Sequence, residues 1–275
     1  MLSARDKLWL IYKRLRTATG VTLGLVLIYA AYKNAFGPAL VPLALGLWLI
    51  HLFGDLYNDY VDFSVDKRNK RKDKWTVSGF ASRKTVKNIM LLSLVGGLAC
   101  LALTNAWVFL LGLAYASMLA VYSSPRIGIR RYDFFAYVLI GIPMLFFPFA
   151  FNSFFSRGFS AQDAFFSIFA YSHYVYLYCQ KDSTDKSDPT NLFIKRGWAS
   201  ASIVCVSFAA VACVALLGLT IASPLLMAVW AVHVLSKGAN LYKISTNTIE
   251  RTLRSRLILL EFLMPFLFVG GVFIA

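Results

Sequence analysis

Long apolar segments dominate this chain, and each has the length that a helix needs to cross a lipid bilayer. A transmembrane helix requires ~20 predominantly apolar residues. Nine stretches meet this requirement, with approximate bounds 17–36, 38–57, 87–104, 106–122, 134–155, 160–179, 198–219, 222–240 and 257–275. Hydrophobic residues make up 59% of the chain and its mean hydropathy is +0.64, which excludes ordinary soluble folds. The sequence predicts an all-α polytopic transmembrane bundle of nine spans, in a single domain over residues 1–275.

Basic residues are distributed very unevenly between the two ends of the predicted spans. With the N-terminus on the cytoplasmic side, 26 of the 28 Lys and Arg residues fall on that side, and only Lys33 and Arg157 fall on the other. The positive-inside rule gives this asymmetry for a cytoplasmic N-terminus and an odd number of spans. The net charge of +15 is therefore explained by membrane topology, and we expect no nucleic-acid partner.

A first cluster of polar residues follows the second predicted span, in the segment NDYVDFSVDKRNKRKDKWTVSG at residues 58–79. Asn58, Asp62 and Asp66 are spaced i, i+4, i+8, so a helix that extends out of the span carries them on one face. Two carboxylates and an amide oxygen are hard ligands of the kind that Mg²⁺ prefers. An acidic helix end that pairs with the Lys and Arg residues after it would explain the same spacing.

A second acidic cluster lies at the predicted cytoplasmic end of the sixth span, in the segment YLYCQKDSTDKSDPTN. Asp182, Asp185 and Asp188 are spaced i, i+3, i+6. Eight of the thirteen acidic residues lie in or near these two clusters, which solubility does not explain. We predict that the clusters face each other and hold Mg²⁺ against a diphosphate. The interleaved bases would contact the remaining phosphate oxygens.

These clusters resemble the aspartate motifs of the UbiA superfamily of intramembrane prenyltransferases. The first cluster is similar to the first motif of that superfamily, which follows its second helix. Lys181, Asp182 and Asp185 are similar to the start of the second motif, which follows its sixth helix. The acids of the second cluster follow the pattern DxxDxxD, whereas a common form of the superfamily separates the last two acids by three residues.

Two further segments carry the resemblance. Arg71, Lys74 and the tripeptide VSG fall where the superfamily has the pattern RxxRPLxSG, with Trp75 in place of Pro. The segment YSSPRIGIRR, which begins at Tyr122, is similar to the superfamily's YSxPxxxK/R segment after its fourth helix, with Arg130 at the basic position. Topology and motifs together extend over almost the whole chain.

The resemblance implies a membrane enzyme that ionises an isoprenyl diphosphate with Mg²⁺ and transfers the prenyl group to an acceptor. We expect the acceptor to be small and aromatic, and the prenyl chain to lie among the helices, open to the lipid bilayer. The expected catalytic residues are Asp62, Asp66, Asp182 and Asp185. Together with Asn58 and Asp188 they form the expected metal-binding set. The expected diphosphate-binding residues are Asn58, Arg71, Lys74, Tyr122, Arg130 and Lys181.

Two groups of side chains are candidates for lining the reaction pocket. The first consists of tyrosines spaced i, i+3, i+7 on the sixth span, which would stabilise a carbocation or pack at a helix interface: Tyr171, Tyr174 and Tyr178. The second consists of His51 and Asp55, which precede the first cluster on roughly the same helix face. They would orient or deprotonate the acceptor, or form a buried hydrogen-bonded pair.

Two other functions fit parts of the sequence. A UbiA-related terpene cyclase would use the same diphosphate site without an acceptor, and the aromatic segment MLFFPFAFNSFF fits a cavity for its cation. A transporter or channel would require acids within several spans and an internal repeat. The acids of this chain lie mostly at helix ends on one face, which favours an enzyme.

Overall fold

The structure, a computed structural model, describes residues 2–18, 22–72, 74–124, 127–129, 132, 134–154, 158–183, 192–221 and 223–246. These residues are helical or irregular, and no strand occurs among them. The chain divides into two compact units, Met1–Leu23 with Gly37–Ile129 and Gly24–Phe36 with Arg130–Ala275. The single-domain organisation stays a prediction.

In chain order, the described residues form eleven helices: α1 (Ala4–Ala18), α2 (Gly24–Tyr32), α3 (Leu40–Val61), α4 (Phe63–Arg68), α5 (Arg83–Ala102), α6 (Ala106–Ser123), α7 (Phe134–Phe154), α8 (Ala161–Asp182), α9 (Leu192–Lys195), α10 (Trp198–Thr220) and α11 (Pro224–Ser245). The first unit contains α1 and α3 to α6. The second unit contains α2 and α7 to α11.

The multi-span helical architecture is confirmed. Among the described residues, five helices are long and apolar enough to cross a membrane, namely α3, α5, α6, α7 and α10. The helices α2, α8 and α11 overlap the first, sixth and eighth predicted spans, but α2 has only nine residues and the other two carry charged residues. The ninth predicted span, 257–275, lies outside the described residues. The number of nine spans and the cytoplasmic N-terminus therefore stay predictions.

Polar residues fix where several of these helices begin. In the first unit, the Ser82 side chain accepts a hydrogen bond from the backbone of Thr85 at the start of α5. Asn105 does the same for Val108 at the start of α6. Such caps satisfy backbone N–H groups that the helix itself leaves without partners. Because the connection between α5 and α6 is short, these two helices are antiparallel neighbours.

A buried polar network joins α2 to α8 in the second unit. The Asp163 carboxylate is fully buried and lies 2.7 Å from the Lys33 ammonium. The Tyr29 hydroxyl donates a hydrogen bond to the same carboxylate and accepts one from Asn152 at 2.9 Å. A charge buried among apolar helices is tolerated only when it is paired in this way. Lys33, one of two bases assigned to the non-cytoplasmic side, thus has an acidic partner within the same unit.

Two glycines allow α3 and α5 to approach closely in the first unit. A Cβ atom on Gly97 would lie 3.0 Å from the carbonyl oxygen of Gly46 and 3.0 Å from Ile50 Cδ1. Small residues are typical of helix contacts in membranes, because close backbone packing replaces the hydrophobic effect as the driving force. This contact holds α3, the helix that leads into the first acidic cluster.

Replacing Gly97 by Val should destabilise the first unit, because the new side chain would force α3 and α5 apart. Overpacking of this kind costs ~1–3 kcal/mol. Gly96→Val is the matched control, since a Cβ at Gly96 would meet only Leu49 Cδ1 at an ordinary 3.5 Å. The measurement is the midpoint of thermal unfolding in detergent. Equal midpoints for the two variants would show that this contact is not tight.

Candidate active site

The first acidic cluster lies where α3 passes into α4, and helical hydrogen bonding continues across a bend at Asp62. The Asp62 N–H donates to the Asn58 carbonyl at 2.9 Å, and the Asp66 N–H donates to the Asp62 carbonyl at 2.8 Å. This i, i+4 pattern places the three side chains on one face. The Asn58 side-chain amide also donates to Asp62 Oδ2 at 3.0 Å. This hydrogen bond holds the side chains of Asn58 and Asp62 together on the acidic face.

A tight turn at the end of α4 brings the chain back over Asp66. The Arg71 N–H bonds the Asp66 carbonyl at 3.0 Å, and the Lys70 N–H bonds the Lys67 carbonyl at 3.2 Å. This is the Schellman pattern that commonly ends helices. Lys70 adopts the left-handed conformation that the pattern needs, with φ of 52°. The turn thereby fixes the backbone of Arg71, one of the bases assigned to the diphosphate, beside Asp66.

Asp66 carries a buried carboxylate oxygen that accepts no hydrogen bond from the part of the chain that the structure describes. Its Oδ2 has no hydrogen-bond partner among the described residues, and the Lys74 ammonium lies 4.0 Å away. Burial raises the pKa of the Asp66 carboxyl above its ordinary value, and the cations Lys74 and Arg71 only partly oppose this. Binding of a cation would stabilise a buried acceptor in this state, because the acceptor has no other partner to replace the water it has lost. Asp66 Oδ2 is therefore suited to act as a ligand of a metal ion.

Lys74 is held by an acid that the sequence analysis did not include in the site. The Asp59 side chain is fully buried, and its Oδ1 lies 2.6 Å from the Lys74 ammonium. Asp59 follows Asn58 directly, so it points ~100° away from the acidic face on a helix. It reaches Lys74 because the chain returns past α3 after the turn at Lys70. The pair holds the ammonium of Lys74 within 4.0 Å of Asp66.

The end of α6 contacts the first cluster through Ser123. The Asn58 amide lies 3.4 Å from the Ser123 hydroxyl, which is buried. Tyr122, a predicted diphosphate ligand, is half-buried immediately before it. The sequence analysis missed Ser123, although the quoted segment YSSP contains it. The structure thus brings Ser123 of this segment to Asn58, while Pro125 and Arg130 lie outside the described residues.

The loop after Arg71 is anchored by Trp75. Its indole N–H donates to the Leu10 carbonyl of α1 at 3.1 Å, and its ring lies 5.2 Å from the ring of Phe80. The loop ends in the VSG segment, where Gly79 has a φ of 74°. This left-handed conformation favours glycine over residues that carry a Cβ atom. The position of Lys74 thus depends on an anchored loop.

His51 is buried between two hydroxyl groups of the first unit. Its Nδ1 lies 2.9 Å from Thr22 Oγ1 and 3.0 Å from the Tyr115 hydroxyl. Asp55, one turn later on α3, is half-buried. The hydrogen bonds at Nδ1 fix the orientation of the His51 ring. A fixed ring is expected whether His51 orients the acceptor or only stabilises the fold.

Part of the second cluster lies outside the described residues. The helix α8 ends at Asp182, and the side chains of Lys181 and Asp182 are not among those described. Asp185 and Asp188 fall in the gap at 184–191. The predicted approach of the two acidic clusters therefore stays a prediction. Within the described residues, no group of three or more His, Cys, Asp or Glu side chains could hold a metal ion.

The predicted tyrosine face on α8 is divided between two environments. The rings of Tyr174 and Tyr178 lie 5.2 Å apart, and Tyr174 is almost fully buried. Tyr171 instead packs near Phe208 of α10, with ring centroids 6.0 Å apart. Tyr174 and Tyr178 therefore act as a pair, whereas the position of Tyr171 fits a helix-packing role.

A polar cluster lies inside the second unit, and none of its residues is among the candidate site residues predicted from the sequence. The Lys237 ammonium lies 3.0 Å from His173 Nδ1 and 3.6 Å from the ring centroid of Tyr176. The His233 ring lies 5.5 Å from that of His173. These residues come from α8 and α11, so no spacing within one segment could have shown that they meet.

A sequence model of the UbiA prenyltransferase family matches residues 19–264. The match covers most of the 275 residues, and the chain therefore belongs to the UbiA prenyltransferase family. The family resemblance inferred from the aspartate motifs is thereby confirmed.

Solved structures of UbiA homologues share this fold at low sequence identity. A UbiA homolog from Archaeoglobus fulgidus bound to GPP and Mg²⁺ is 16% identical, with a TM-score of 0.71, covering 96% of this chain and 98% of that one. A UbiA homolog from the same organism bound to DMAPP and Mg²⁺ is 14% identical, with a TM-score of 0.69 and coverage of 96% and 99%. A structure described for digeranylgeranylglyceryl phosphate synthase in membranes is 15% identical, with a TM-score of 0.64 and coverage of 98% and 100%. No curated protein sequence matches the chain.

Replacing Lys74 by Met should destabilise the protein, because the fully buried Asp59 would lose its counter-charge. Removing one partner of a buried ion pair costs ~3–5 kcal/mol, and we expect a value near the lower end since Lys74 is slightly exposed. Thermal unfolding in detergent measures the loss, with exposed Lys72→Met as the matched control. The double variant Asp59→Asn/Lys74→Met should recover part of the stability. Equal unfolding midpoints for Lys74→Met and Lys72→Met would contradict this role of the pair.

Proposed function

We propose that this protein is an Mg²⁺-dependent intramembrane prenyltransferase that transfers the prenyl group of an isoprenyl diphosphate to a small aromatic acceptor. One observation carries the proposal: a buried oxygen of Asp66, with no hydrogen-bond partner in the described part of the chain, shares a helix face with Asn58 and Asp62. Membership of the UbiA family supports the reaction class. The related folds with GPP or DMAPP and Mg²⁺ support a prenyl diphosphate as donor.

The oxygen atoms of the first cluster fit Mg²⁺, which takes one or two carboxylates and completes its coordination with phosphate and water oxygens. Asp62 and Asp66 would supply the carboxylates, with Asn58 as an amide ligand. We assign Asp182, Asp185 and Asp188 to the same chemistry because they resemble the second motif of the family. Mg²⁺ held by these residues would neutralise the diphosphate and make it a better leaving group.

Basic and hydroxyl side chains would bind the phosphate oxygens that the metal leaves uncovered. Lys74 is held by Asp59 close to Asp66, and Arg71 is fixed by the turn that ends α4. Before the substrate binds, the positive charges of Lys74 and Arg71 offset the negative charges of the carboxylates. When the diphosphate binds, the two side chains would bind its oxygens. We assign the same role to the other motif residues Tyr122, Arg130 and Lys181.

Two groups of side chains would act on the reacting carbon and the acceptor. The paired rings of Tyr174 and Tyr178 supply electron-rich faces that stabilise an allylic cation. His51 and Asp55 would orient the acceptor, and the Thr22 and Tyr115 hydroxyls hold the His51 ring in place. The apolar spans exclude water, which would otherwise attack the cation in competition with the acceptor.

The reaction would take place at the cytoplasmic face of the membrane. This orientation rests on the 26 Lys and Arg residues assigned to one side of the predicted spans. The donor diphosphate would enter from the cytoplasm, while its prenyl chain would extend into the apolar interior. The lipid bilayer is therefore both the environment of the enzyme and a route for apolar substrates.

Turnover should require a divalent metal. Purified protein incubated with Mg²⁺, GPP and a panel of aromatic acceptors should release pyrophosphate and form a prenylated acceptor. EDTA should abolish this release, and excess Mg²⁺ should restore it, since the diphosphate is a poor leaving group without the metal. Metal-independent turnover would refute the mechanism. Mass analysis of the organic product tests the terpene cyclase alternative, which requires a cyclised hydrocarbon or alcohol without any acceptor.

Asp62→Ala should lower turnover by roughly 100-fold or more, the range seen when one group that stabilises developing charge is removed. The variant should keep its thermal unfolding midpoint, because the Asp62 side chain is half-buried at a helix end. Ser64→Ala removes an exposed polar side chain of α4 and serves as the control. Full activity of the Asp62 variant would remove the first cluster from the active site.

A further inference from the structure

The helix α1 is amphipathic and too polar to cross a membrane. It carries Asp6 and five basic residues among its fifteen positions: Arg5, Lys7, Lys13, Arg14 and Arg16. Its apolar residues Leu8, Ile11, Tyr12 and Leu15 are spaced i, i+3, i+4, i+7, so they form one stripe along the helix. The sequence analysis treated this segment only as a source of positive charge.

Part of the apolar stripe of α1 is turned away from the protein. Leu8 is 68% exposed and Tyr12 is 59% exposed, and Trp9 beside them is 51% exposed. Leu10, which is only 3% exposed, lies roughly opposite Leu8 around the helix. The first unit therefore contacts the Leu10 side of α1, while Leu8, Trp9 and Tyr12 face outward and Ile11 and Leu15 at the edge of the stripe are half-buried.

We propose that α1 lies in the headgroup region of the bilayer and binds anionic phospholipid. A helix with outward Leu, Trp and Tyr side chains and basic neighbours has the composition of an interfacial helix. Arg5 and Lys7 are exposed, and each base near an anionic lipid surface strengthens binding about fivefold. The charge of α1 thus selects an anionic surface over a neutral one.

This lipid contact is linked to the candidate active site through Trp75. The indole of Trp75 donates its hydrogen bond to the carbonyl of Leu10, on the buried side of α1. The preceding residue is Lys74, whose ammonium lies between Asp59 and Asp66. An anionic lipid that holds α1 in place therefore stabilises the loop that presents Lys74. This consequence rests on the proposed function, since it assigns Lys74 to the diphosphate.

Fluorescence quenching by brominated lipids tests the contact without any activity measurement. The full-length protein is placed in nanodiscs of phosphatidylcholine and phosphatidylglycerol in equal amounts, with one or the other lipid brominated. The signal of Trp9 is the difference between wild type and Trp9→Phe. Trp107, which is 55% exposed on the span α6, gives a reference for lipid contact without added charge through Trp107→Phe.

We expect brominated phosphatidylglycerol to quench Trp9 more strongly than brominated phosphatidylcholine, and both to quench Trp107 about equally. The double variant Arg5→Gln/Lys7→Gln should reduce the preference at Trp9 at least about fivefold. Lys84→Gln/Lys87→Gln removes two exposed bases of α5 and should leave it unchanged. Absence of quenching at Trp9, as for a helix covered by a protein partner, would overturn the proposal. Equal quenching by the two lipids would also overturn it.

The link to the site is tested by calorimetry of GPP binding with Mg²⁺ in the same nanodiscs. Binding should be tighter with phosphatidylglycerol than with phosphatidylcholine alone, and Trp75→Phe should remove this difference because it deletes the hydrogen bond to Leu10 while keeping a ring. A difference that persists in Trp75→Phe would refute the link. If GPP bound in neither lipid, the proposed function would fail, while the quenching result would still decide the lipid contact.

Discussion

The buried ion pair between Asp59 and Lys74 is the contact on which the polar end of the first unit depends. Asp59 is fully buried on α3, and its charge is tolerable only because the chain turns back and supplies an ammonium 2.6 Å away. That ammonium also lies 4.0 Å from Asp66. The charge of Asp59 is thus neutralised within the protein, and Asp66 keeps an oxygen without a hydrogen bond among the described residues. The same pair therefore organises both the fold of the loop and the charge of the site.

Spacing along one helix was enough to predict the shared face of Asn58, Asp62 and Asp66, because the period of an α-helix fixes which residues are neighbours. Asp59 lies off that face, and helix periodicity does not show which side chain it contacts. Its partner Lys74 follows fifteen residues later, beyond a turn whose path depends on the left-handed backbone of Lys70. Local periodicity therefore gives the face, whereas contacts made after a turn require the structure.

Contacts between separate helices were the other part that sequence could not supply. Lys237 on α11 meets His173 on α8, but each looked isolated in its own apolar segment. The length of the apolar segments predicted the long helices well, since residues buried in the protein and residues exposed to lipid are both apolar. It did not predict α1, because a charged amphipathic segment lacks the length of apolar residues by which spans are recognised. Polar pairs inside the bundle are specified by packing angles, which no single segment encodes.

The left-handed conformation of Lys70 has a consequence for which substitutions this loop can accept. Most residues pay a conformational cost at a positive φ, and branched side chains pay the most. Gly and Asn should therefore be accepted at position 70 even though they remove a charge, and Val or Ile should be rejected for their shape. The surrounding run of bases suggests that charge governs this segment. At position 70 the accepted substitutions should instead be set by backbone geometry. Residues that adopt the left-handed conformation should replace Lys70 whether or not they are basic.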